Sequence, residues 1–151
     1  MKRSNVMTAS ALVGALAIFV GGIQPAVAQS PIKQAMGDNF GSLQVILYGL
    51  ISAKYESVPT HADLISSHAK DLVTMIPESA EAKRDEFLTY ASNLDGHAQD
   101  LKSISELLME HDKARGESAT DHLREALAGH YGGMVMMCVA CHNRFRPLEV
   151  E

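Results

Sequence analysis

Four stretches in which apolar residues return every three or four positions, joined by short polar linkers and with no convincing strand between them, predict an all-α fold. Each stretch has one apolar face to bury, and short connections make consecutive helices run side by side in opposite directions. The predicted architecture is therefore an antiparallel four-helix bundle.

Residues 1–28 precede that domain and read as a secretory signal peptide. Lys2 and Arg3 supply the charged start, Ala11 to Ile23 is an apolar run, and Ala26-Val27-Ala28 is a small-x-small cleavage site before Gln29. An uncleaved anchor is the other reading, but the run is shorter than the ~20 residues that span a bilayer. Residues 29–151 remain, enough for one domain with a single core, and no later stretch has the length and apolarity to span a membrane.

The first predicted helix opens at Ser30-Pro31, a capping serine with proline at the first helical position, and runs to about Tyr55. Its apolar stripe is Ile32, Met36, Phe40, Leu43, Leu47 and Leu50. The second starts at Thr60, where Thr60 to Asp63 has the form of a capping box, and stops at Pro77; its stripe is Ile65, His68, Leu72 and Ile76. The third extends from about Ser79 to His111 and buries Phe87, Ala91, Leu94, Ala98, Leu101 and Leu108. Asp95-Gly96 is the place where it would bend or break. The fourth follows the turn around Gly116, capped by Ser118 or Thr120, with Leu123, Leu127, Met134, Cys138, Cys141 and Phe145 on one face.

That last stripe contains Cys138-Val139-Ala140-Cys141-His142. At 3.6 residues per turn, positions 138, 141 and 142 fall within roughly 100° of arc, so two thiols and an imidazole share one helix face. C-x-x-C-H is the attachment signature of c-type haem: each thiol becomes a thioether to a haem vinyl group, and the imidazole binds iron axially. A thioredoxin-like dithiol would need a helix N-terminus to lower the thiol pKa, whereas this pair comes late in a helix. A structural zinc site would need two further ligands at matching spacing, and the chain has only two cysteines. Haem c, one per chain and near the C-terminal helix, is the expected cofactor. It is attached on the oxidising side of the membrane, which agrees with export and predicts a periplasmic protein. The motif uses both cysteines and leaves none for a disulfide.

The formal net charge is −5, and loss of Lys2 and Arg3 with the leader makes the mature chain more acidic still. An acidic surface argues against nucleic acid or anionic lipid as partner and is compatible with a basic redox protein. No Ser-His-Asp order, paired-carboxylate cluster or phosphate loop stands out, so the chain is not expected to be an enzyme.

A signal peptide, four helices and a lone motif continued as Cys138-Val-Ala-Cys-His-Asn-Arg-Phe-Arg146 resemble the cytochrome c-prime family. Met36-Gly37-Asp38-Asn39-Phe40-Gly41 is similar to that family's first-helix pattern. The resemblance implies a four-helix bundle that often dimerises through its first two helices, and one covalent haem with a histidine below it. Members either leave the opposite iron face open to nitric oxide or carbon monoxide, or close it with a first-helix methionine and act as low-spin electron carriers. The chain departs from the pattern in carrying no tryptophan and in having Gln29-Ser30-Pro31 where many relatives place an arginine. Aligning the first-helix pattern puts Lys33 at the distal position; a shift of one turn puts Met36 there.

His142 is thus the expected proximal iron ligand, with thioethers at Cys138 and Cys141. Met36 is a candidate distal ligand, because a thioether is soft and raises the reduction potential; the alternative is an ordinary core methionine among the eight in the chain. Lys33 ligates only if deprotonated. Arg146 lies one turn beyond His142, where the family has a basic residue, and would tune the iron from beside the imidazole or simply be solvated. Phe40 is expected in the wall of the distal pocket. Met134 is expected along the haem face, with Met136 and Met137 diverging from it. Gly37 and Gly41 permit a close dimer contact, and His130, two turns before Cys138, would approach a propionate. Two functions remain: one-electron transfer to a redox partner, and, as the alternative, binding of a small diatomic gas at an open iron face.

Overall fold

The computed structural model describes residues 31–115 and 120–145, and they form an all-α fold with no strand among them. Residues 1–30, with the expected signal peptide and the Ser30 cap, residues 116–119, with the expected turn around Gly116, and residues 146–151, with Arg146, lie outside the described residues. The elements are α1 (Pro31–Ser52), a 3-10 turn (Tyr55–Ser57), α2 (Val58–Asp71), a single turn α3 (Glu78–Glu81), α4 (Arg84–Arg115) and α5 (Asp121–Phe145). Helix α4 packs against both α2 and α5, and α1 closes the arrangement by packing on the same two helices. Among the described residues no helix is long and apolar enough to cross a membrane.

Helix α1 begins at Pro31, as predicted, but ends three residues before the predicted Tyr55. Its last turn is closed by Lys54 N–H donating to Gly49 C=O at 2.9 Å and Ala53 N–H donating to Leu50 C=O at 3.5 Å, with Ala53 left-handed at φ 52°. That is a Schellman cap with alanine where glycine is usual, so no glycine marks it in the sequence. The reversal draws the backbone close: a Cβ on Gly49 would lie 2.8 Å from Lys54 O and 2.9 Å from Val58 Cγ2. The buried positions of α1 are Ala35, Asn39, Ser42, Ile46 and Gly49. Of the predicted stripe, Ile32, Met36, Leu43 and Leu50 are partly buried and pack on the apolar interior, whereas Phe40 (64% exposed) and Leu47 (40%) turn outward beside Tyr48 (63%) and Ile51 (78%), which corrects the stripe at those two positions.

Helix α2 starts two residues earlier than predicted, with Pro59 in its first turn. Asp63 does not act in a cap there; its carboxylate reaches across to α4 and meets Lys102 Nζ at 2.7 Å. Beyond α2 the chain leaves through successive turns at residues 72–75 to Pro77. Helix α4 passes through Asp95-Gly96 without a break, because Asp95 is tied to α2 by a hydrogen bond from Ser66 Oγ and by Lys70 at 3.5 Å. Helix α5 starts from Thr120, whose C=O accepts from the Leu123 and Arg124 N–H groups.

The apolar interior has two parts. The larger runs along α2, α4 and α5 through Ile65, Ala98, Leu101, Leu108, Leu127 and Met134. The smaller gathers Leu72, Phe87, Ala91 and Phe145, with Ile32, Met36 and Cys141 packed against it. This second cluster joins the starts of α1 and α4 to the ends of α2 and α5, so the motif residues lie where four helix termini converge.

Candidate functional site

Phe145 holds the last turn of α5 in place. It is buried, and its ring meets Phe87 edge-on at 5.4 Å and Tyr90 at 6.0 Å. Arg144 adds an ion pair to Glu86 of α4 at 2.8 Å. Between these anchors, Cys138, Cys141 and His142 face a small cavity at the seam of α1, α4 and α5.

The two cysteines are free thiols, each partly buried. Burial pushes the Cys138 thiol up, and burial together with the neighbouring Cys138 pushes Cys141 up to about 11. Thiols held protonated at neutral pH are poor nucleophiles, the opposite of a catalytic dithiol. His142 sits at the exposed rim.

The same cavity is lined by Met36 and Asn39 from α1 and by Tyr90 and Leu94 from α4. Asn39 is 4% exposed, a buried amide on an otherwise apolar wall. Its Oδ1 accepts from His68 Nδ1 at 2.7 Å, so a residue near the end of α2 orients it.

The donor set suits a covalently attached haem: two thiols and an imidazole on one helix face, with a thioether and apolar side chains lining the same cavity. The enclosed space is about 20 Å³, room for a water and not for a macrocycle. Its walls can give way, because Met36, Tyr90 and Met137 are only partly buried and His142 is exposed. Methionine in particular refills or vacates space by rotating its three side-chain bonds.

The structure brings Met36 to the motif and leaves other expected residues away from it. Phe40 points to solvent and Lys33 is exposed, and neither lines the cavity. Met134 is fully buried in the larger core, and Met137 lines the cavity in its place. Asn39 was missed as a site residue, although a polar residue three positions after Met36 is a visible signal. Tyr90 was missed because its place depends on how α4 packs against α5. His130 does not reach the cavity and instead meets His97 of α4. No known protein family, curated protein or solved structure matches this chain.

Proposed function

We propose that this chain is an exported monohaem cytochrome of the c-prime type, an antiparallel four-helix bundle that carries single electrons in the periplasm. The observation that supports this most is that Met36 lines the same cavity as Cys138, Cys141 and His142. Cys138 and Cys141 would hold the porphyrin as thioethers, and His142 would hold the iron. When bound, the haem supplies a one-electron couple.

The chain's own residues supply the surroundings. Leu72, Ala91 and Leu94 exclude water from one side of the cavity, and Phe145 keeps the end of α5 from fraying. Met36 would offer a sulfur to the iron from α1, which favours a low-spin electron carrier. The acidic surface suits a basic redox protein as partner. The outward face of α1, with Phe40, Tyr48 and Ile51 exposed beside the open glycines 37 and 41, suits a second copy of the chain.

A second reading, an open iron face that binds nitric oxide or carbon monoxide, draws on Asn39. Its amide NH2 borders the cavity while His68 engages its carbonyl oxygen, so it can donate to a polar diatomic ligand. The absorption spectrum of the purified protein with and without carbon monoxide separates the two. A low-spin spectrum unmoved by the gas supports the carrier, and a high-spin spectrum that shifts supports the gas binder.

A further inference from the structure

His97 of α4 and His130 of α5 meet across the helix seam with their Nδ1 atoms 3.3 Å apart. The His97 ring rests on the backbone of α5 at Gly133, where a Cβ would come within 2.5 Å of it. Glycine at 133 therefore makes the seat that lets this ring reach its partner. Asp100, one turn after His97 on α4, brings Oδ2 to 3.4 Å from His130 Nδ1.

Those separations match the bite of a metal ion. With Zn–N bonds of about 2.0–2.1 Å and tetrahedral angles, two imidazole nitrogens on one zinc lie roughly 3.3–3.4 Å apart, and a carboxylate oxygen takes a similar spacing. Without metal the pair is held by one N–H···N hydrogen bond between neutral rings, and a cation would take the place of that proton.

We propose that His97 and His130, completed by Asp100 and solvent, form a binding site for a divalent first-row transition-metal ion, with zinc as the working case. No three His, Cys, Asp or Glu side chains already converge as a cage among the described residues. The site is two imidazoles at ligating distance plus a carboxylate that is 61% exposed and closes the set by rotating. Bound metal would join α4 to α5 two helical turns from Cys138, at residues other than the haem ligands. The site stands or falls independently of the proposed haem function.

The test is calorimetric titration of zinc chloride into the purified full-length protein with its prosthetic group, in buffer free of chelators. One zinc per chain is expected, with affinity falling at least about ten-fold in His97→Gln and in His130→Gln, and less in Asp100→Asn. Absence of saturable binding, or unchanged affinity in both histidine variants, overturns the proposal. Should His97→Gln disturb the helix seam, zinc-edge X-ray absorption on the wild-type protein decides. Two imidazole ligands in the wild type, with one or none left in His130→Gln, sustain the site, and fewer than two in the wild type refute it.

Discussion

Met36 on α1 and His142 on α5 line one cavity, although 106 positions separate them in the chain. The start of α1 is brought there by Ile32 and Met36 packing on the cluster around Phe87 and Phe145. Two helix termini far apart in sequence thus bring a thioether and an imidazole to the lining of the same space.

Met36→Ala tests that pairing. If Met36 fills the sixth iron position, the substitution converts a low-spin spectrum into a high-spin one, makes the iron reactive to carbon monoxide and lowers the reduction potential, since loss of the soft axial ligand favours the oxidised state. A spectrum and potential that do not change would make Met36 a packing residue only.

The thiols give a pH dependence in protein kept in the cytoplasm, where they stay free. Cys141 ionises near 9.0 when unfolded and about 11 when folded, so above pH about 9 the unfolded chain releases its proton first. The stabilisation is therefore complete below pH about 9 and is lost as pH rises through about 11. Urea midpoints should fall over that window, and alkylation by iodoacetamide should be slow at neutral pH and accelerate across it. Rapid alkylation at pH 7 would show that the thiols are not held in the protonated form.

Helix number and type were legible in the sequence, because apolar spacing and Pro31 are local signals. So was the motif face of α5. The end of α1 was not, since alanine rather than glycine occupies its left-handed cap. The start of α2 was misplaced because the Asp63 carboxylate serves Lys102, a partner 39 residues away. Phe40 and Leu47 were misplaced on the buried face of α1, whose most buried positions fall instead on Ala35, Asn39, Ser42, Ile46 and Gly49. Asn39, Tyr90 and the His97–His130 pair depend on which helices become neighbours, and periodicity within one segment carries no such information.

Ala53→Gly should stabilise the fold. The left-handed conformation costs alanine about 1–2 kcal/mol, while glycine adds about 0.5–1 kcal/mol of unfolded-state entropy, leaving a gain of up to about 1.5 kcal/mol. Thermal unfolding should show a Tm a few degrees higher. A lower Tm would contradict the cap.

Ile51→Lys and Phe40→Lys should leave helicity intact, because both side chains are exposed in the single chain. Sedimentation should show a wild-type dimer and monomeric variants. Identical association in all three would place any dimer contact elsewhere.

The central claim is that Cys138 and Cys141 carry haem. Intact-mass spectrometry of protein recovered from the periplasm, with peptide mapping, reads this directly. The account predicts a chain beginning at Gln29, heavier by one haem, with both cysteines blocked to alkylation and the added mass on the peptide that contains residues 138–142. A colourless protein of unmodified mass, with both thiols open to alkylation, would contradict it.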